Sequence, residues 1–159
     1  MVIYIFTFLL SAILFRIYEK HSDKKYAKWI AMIAILIPAI LAGCRAEVIG
    51  TDVRTYVIRY YEEARYSSSF IDYFGQHITS ILSEPLYFLF TYIIAIFFEN
   101  YHWALLGYSI VTITFMFLGM RRCNKAFGTP IYAGMLIYYL MLYNYSLNLV
   151  RQCIAVSVV

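Results

Sequence analysis

The sequence predicts an all-α polytopic membrane protein: about five spans, one short re-entrant or interfacial apolar segment, and amphipathic helices in the first extracytoplasmic loop. Three observations carry that expectation. Of 159 residues, 63% are hydrophobic and only 14% charged, whereas charged residues approach a quarter of an ordinary soluble chain. The apolar residues gather into runs of spanning or near-spanning length. Lysines and arginines collect between those runs in a pattern that assigns sides of a bilayer.

Residues 1–18 hold one charge, Arg16, near their end; at about 1.5 Å per residue they can just cross a hydrocarbon core about 30 Å thick. Residues 29–44 form the second run, with Pro38 inside it, followed by a shorter run at 85–98 and further runs at 103–120 and 131–143. The chain stops at "IAVSVV", inside a sixth apolar stretch that starts near Leu147. This predicts a helix cut midway and a single transmembrane domain, 1–159, that is the N-terminal portion of a longer protein. The first run does not read as a cleavable signal, because such a signal has its positive charge in front, and Arg16, Lys20, Lys24, Lys25 and Lys28 all come at its end or after it.

Those lysines make the first loop cytoplasmic and put the N-terminus outside. The segment 45–84 is then extracytoplasmic, and its four arginines, six acids and absence of lysine agree. Arg121, Arg122 and Lys125 have no acid among them and also call for the cytoplasm. If both 85–98 and 103–120 crossed, that cluster would land outside. The fourteen residues 85–98 make only about 21 Å of helix, so the expectation is that they dip in and return or lie against the outer face. An ordinary short span with a weak violation of the charge rule is the alternative.

Within 45–84, Gly50-Thr51-Asp52 is a helix start signal, after which Val53, Tyr56, Val57, Tyr60, Tyr61 and Ala64 share a stripe. Arg59 and Glu63 stand four apart and can pair on the wet face. Ser67-Ser68-Ser69 breaks the pattern, and Phe70, Ile71, Phe74, Ile78 and Ile81 form a second stripe. Aromatic-rich helices of this kind lie in the interface plane, and most of the 17 tyrosines are expected to be interfacial anchors.

Two residues carry open alternatives. Asp52 is either a helix cap or a carboxylate beside Arg45 and Arg54 able to take a proton. Arg151, within "LNLVRQCIAVSVV", is costly in lipid unless it meets a carboxylate, carbonyls, water or a substrate anion; snorkelling to the headgroups is the plainer account. Other chemistries find little. Cys44, Cys123 and Cys153 are dispersed and odd in number, and His21, His77 and His102 lack metal-ligand spacing and read as loop or interfacial residues. There is no phosphate-binding glycine pattern and no basic stripe for nucleic acid.

Arg45 with "GTD" and a tyrosine (Gly50, Thr51, Asp52, Tyr56), then "EPLYFLF" (84–90), then "NLVRQCIA" (148–155) together resemble the signature blocks of EpsG-family proteins, Wzy-type polymerases of capsular and exopolysaccharide synthesis. The resemblance runs from the first span to the end of the chain, with Leu86 where the family often has Gly and Val53 where an aromatic is common. It implies transfer of oligosaccharide repeat units between polyprenyl-pyrophosphate carriers at the outer face of the bacterial cytoplasmic membrane, with no cofactor and no metal. It also implies other polysaccharide-assembly membrane proteins as partners, and a GT-C-like arrangement of helices. On that reading Arg45, Arg54 and Arg151 grip the pyrophosphate, Glu84 and Gln152 orient Arg151 or sugar hydroxyls, Tyr56 contacts substrate, and Asp52 is acceptor base or arginine orienter. A flippase for the same lipid-linked glycan, or a non-catalytic scaffold, is the alternative.

Overall fold

The computed structural model describes residues 2–46, 53–77 and 85–148, and all regular elements among them are helices. They are α1 (Val2–Lys20), α2 (Ala27–Gly43), a π-helical segment (Val53–Ile58) that runs into α3 (Arg59–Tyr66), α4 (Phe70–Gln76), α5 (Pro85–Phe97), α6 (His102–Phe127), α7 (Ile131–Met141) and α8 (Tyr143–Asn148). The helices α1 and α6 are long and apolar enough to cross a membrane; α2, α5 and α7 are shorter apolar helices.

Polarity is arranged inside out. Val2, Ile3, Phe6, Leu10 and Ile13 face outward on α1, while Ser11 on its inner face is fully buried, as is Thr91 on α5. Water would not tolerate that much contiguous exposed apolar surface; hydrocarbon does, and it forces polar groups to find partners within the bundle. Pro38 shows how. Proline has no N–H, so the Ala34 carbonyl one turn earlier loses its helical donor. The Ser11 hydroxyl donates to that carbonyl at 2.7 Å. Having one proton, Ser11 must then accept from the Tyr139 hydroxyl, 2.9 Å away. One replacement bond thus ties α1, α2 and α7 together.

The longest helix, α6, serves two cores. Its stretch from Ile113 to Phe117 packs with α1, α2, α7 and Tyr143. Its N-terminal half (Ala104, Leu105, Tyr108) packs with the π-helical segment, α3, α4 and α5. Close approach needs small residues: a Cβ on Gly43 would lie 2.9 Å from Leu106 Cβ. The end of α6 is set by Gly128, whose φ of 69° closes the helix in the left-handed conformation.

Both basic loops lie at one end of the bundle. Glu19, at the end of α1, accepts from Asn124 Nδ2 at 2.9 Å and from the Ile131 amide at 3.4 Å, which gathers the α1–α2 and α6–α7 connections. The other end holds the last turn of α2, whose Gly43 carbonyl meets His102 Nδ1 at 2.7 Å. Tyr143 is there too, donating to the Pro38 carbonyl at 2.6 Å.

The helix α5 runs antiparallel to the first half of α6. Phe98 stacks on Trp103 at 4.8 Å, Thr91 bonds Tyr108, and Leu86 and Phe115 line one groove. The 13-residue α5 accordingly starts about halfway along α6 and rises to the end away from the basic loops.

Two expectations are corrected. The buried face of α4 is Tyr73, with Phe70, Phe74 and His77 partly covered, whereas Ile71 is 81% exposed; Ile78 and Ile81 lie outside the described residues. The tyrosines divide: eight of the 17, among them Tyr73, Tyr108, Tyr139 and Tyr143, are buried in the bundle, so an interfacial anchoring role is open only to the other nine. A phenol can enter such an interior when its hydroxyl finds an acceptor, as Tyr143 does at Pro38.

Candidate functional site

Of the seven residues proposed from the sequence, Arg45, Arg54 and Tyr56 are described; Asp52, Glu84, Arg151 and Gln152 lie outside the described residues. Arg45 follows the last turn of α2 and is only 5% exposed. It lies within electrostatic range of Tyr143, the first residue of α8, a helix from the far end of the sequence. A guanidinium keeps its charge in such a place, which makes it a fixed cation in a poorly hydrated setting. Tyr143 also lines a narrow crevice with Tyr108, Thr112, Tyr138 and Ser146, where the Thr112 hydroxyl donates to the Tyr108 carbonyl and the Ser146 hydroxyl to the Tyr143 carbonyl.

Arg54 is exposed on the π-helical segment, flanked by the buried Val53 and followed by the half-buried Tyr56, whose ring lies 6.1 Å from Tyr60. Segments of π-helix are uncommon and recur at functional sites. Val53, Val57, Tyr61 and Ala64 are buried as the stripe predicted, which turns the intervening Arg54 outward.

The platform that carries this segment is built from polar contacts. Arg59 Nε donates to Glu63 Oε1 at 2.9 Å, as the four-residue spacing predicted. Glu63 Oε2 also stands 2.9 Å from His77 Nε2. His77 is enclosed by Tyr60, Tyr73 and Phe88, with ring centroids 5.2, 5.3 and 5.6 Å away. Sequence reading missed this cage, because its rings come from three separate segments of the chain. Burial pushes the Tyr73 phenol well above its ordinary value, so it stays neutral.

Both Tyr61 Oη and Arg65 Nη1 donate to the Phe98 carbonyl, the latter at 2.8 Å, satisfying the orphan end of α5. Burial also raises the Tyr61 phenol, keeping it a donor. Ser69 Oγ caps α4 by accepting from the Asp72 amide at 3.2 Å, so the triple serine is a helix start as well as a break. The Asp72 carboxyl is held below the usual carboxylate range by hydrogen bonds from Gln76 and Ser68.

The EpsG family model matches residues 28–159. The chain belongs to the EpsG family. The match begins in α2 and leaves α1 outside, although α1 packs on both α2 and α7. No curated protein and no solved structure matches the chain. The family and the apolar helices together give this EpsG-family chain a membrane location and a polysaccharide-polymerase type of role.

Proposed function

We propose that this EpsG-family chain belongs to an enzyme that polymerises oligosaccharide repeat units carried on polyprenyl pyrophosphate, at the outer face of the bacterial cytoplasmic membrane. The observation that carries the reading is the buried Arg45 cation, at the end of the bundle away from the two basic loops. Those loops belong in the cytoplasm by the charge rule, which puts the N-terminus and Arg45 outside and makes α5 a segment that dips in and returns.

In the reaction an acceptor sugar hydroxyl attacks the anomeric carbon of the donor, and the bond from that carbon to the pyrophosphate oxygen breaks. The hydroxyl proton goes to a base, for which Asp52 is the candidate, and the lipid pyrophosphate leaves with added negative charge. Guanidinium groups suit that anion because they are permanently charged and grip two phosphate oxygens at once. Arg45, Arg54 and Arg151 take this role, with Glu84 and Gln152 orienting Arg151 and Tyr56 meeting the glycan. The buried setting of Arg45 strengthens its pull on developing charge.

Full-length protein purified in detergent, where there are no two sides, should extend a lipid-linked oligosaccharide into a ladder of polymers. Arg45→Lys should slow that extension roughly a hundredfold. Absence of a ladder in detergent, with lipid-linked glycan crossing reconstituted vesicles, would replace the polymerase by a flippase.

A further inference from the structure

A groove of about 660 Å³ lies toward the basic end of the bundle, between the α1–α2 connection, α2 and α6 from Ile110 to Arg121. That volume falls within the roughly 300–1,000 Å³ of ordinary ligand sites. Its two ends differ in chemistry. Lys24, Lys25 and Lys28 from one basic cluster and Arg121 from the other line its mouth, and no carboxylate lines it among the described residues. The nearby Glu19 is engaged elsewhere, by Asn124 and the Ile131 amide. The walls that lead away from the mouth are apolar, formed by Ile35 and Leu36 of α2 and Ile110 and Leu118 of α6.

We infer that this groove binds one anionic phospholipid, its headgroup phosphate held by Lys24, Lys25, Lys28 and Arg121 and an acyl chain lying along α2 and α6. Charge complementarity selects the occupant. Four lining cations against one neighbouring carboxylate, the exposed Asp23, which does not line the groove, favour an anionic headgroup over a zwitterionic one, and basic pockets between membrane helices on the cytoplasmic side bind such headgroups. The apolar walls begin directly at the cations, so one amphipathic molecule satisfies both. The site is at the opposite end from Arg45, and the inference stands independently of the reaction proposed above. Its structural role is to bridge the two basic loops, whose like charges otherwise repel.

The purified full chain, analysed by native mass spectrometry in detergent with added phosphatidylglycerol or phosphatidylcholine of identical acyl chains, tests it. One phosphatidylglycerol per chain should be retained, and phosphatidylcholine should not. The combined Lys24→Gln, Lys25→Gln, Lys28→Gln and Arg121→Gln variant should weaken retention at least about tenfold. Leu118→Trp, which fills the apolar part and leaves every cation, should weaken it as well. The pair Arg122→Gln and Lys125→Gln, basic residues of α6 outside the groove, should leave it unchanged. Circular dichroism checks that each variant keeps its helix content, and Lys28→Gln alone serves if the fourfold variant does not fold. Equal retention of the two lipids, equal loss in the Arg122/Lys125 pair, or full retention in Leu118→Trp would overturn the site in favour of diffuse surface attraction.

Discussion

The Ser11 hydroxyl donates to the Ala34 carbonyl at 2.7 Å, at the position in α2 where Pro38 has removed the helix's own donor. The bond explains why a polar side chain is fully buried on the inner face of α1. Ser11→Ala leaves both that carbonyl and the Tyr139 hydroxyl short of a partner, and should destabilise the bundle by about 1–2 kcal/mol. In a Pro38→Ala background the regained N–H serves Ala34 and only the Tyr139 hydroxyl loses its partner, so the same Ser11→Ala change should cost about half as much. Thermal or denaturant unfolding of the four variants in detergent measures the difference.

Gly43 positions Arg45 through the contact between α2 and α6. Its added Cβ would sit 2.9 Å from Leu106 Cβ and 3.3 Å from Leu106 Cα. Gly43→Val should therefore cost about 1–3 kcal/mol and lower activity with it. Leu106→Ala should not rescue the variant, because the Cβ and Cα that clash remain in alanine. Unfolding midpoints of the single and double variants decide this.

The Phe98 carbonyl has two donors, Tyr61 and Arg65. Either Tyr61→Phe or Arg65→Gln alone leaves one, so each should loosen the α5–α6 turn only slightly. Both together orphan the carbonyl and should exceed the sum of the single effects. Hydrogen exchange at the Trp103 and Ala104 amides, which bond back to Asn100 and Tyr101, reports the loosening.

Asp72 links α4 to acid. Its folded carboxyl titrates below the unfolded value because Gln76 and Ser68 donate to it. A depressed carboxyl contributes stability that is fully present above the unfolded value near 3.9 and is lost as pH falls through the lower folded value. Amide exchange in α4 should therefore accelerate at acid pH in the parent chain. Asp72→Asn, which has no carboxyl to titrate, should remove that part of the pH dependence.

Local patterns in the sequence reached some of this and missed the rest for physical reasons. The Arg59–Glu63 pair and the Val53–Ala64 stripe follow from helical spacing alone, and the serine run from its competition with helix backbone. Arg45 could be singled out as a charge at the mouth of an apolar run. Its burial within electrostatic range of Tyr143 could not, because that proximity joins elements from opposite ends of the sequence. Ile71 was placed inward on hydropathy, but α4 turns its aromatic rows, Phe70, Tyr73, Phe74 and His77, onto α5 and leaves Ile71 out. The His77 cage needs three helices in place before it exists. The short run at 85–98 was suspect by length, and the antiparallel course of α5 along half of α6 is compatible with a segment that dips and returns.

The two native cysteines at opposite ends test that topology. Cys44 and Cys123 are both exposed. In intact cells, with Cys153→Ser to silence the third thiol, a membrane-impermeant maleimide should label Cys44 and should reach Cys123 only after permeabilisation. The reverse pattern would invert the proposed orientation.

Binding of the lipid diphosphate itself tests the central claim most directly. Full-length protein in detergent should bind a polyprenyl diphosphate far more tightly than the polyprenyl alcohol of the same length. Arg45→Gln, Arg54→Gln and Arg151→Gln should each erase much of that difference. If the alcohol binds as tightly as the diphosphate, or the three variants keep the parent's preference, the arginines do not hold the leaving group and the proposed mechanism is wrong.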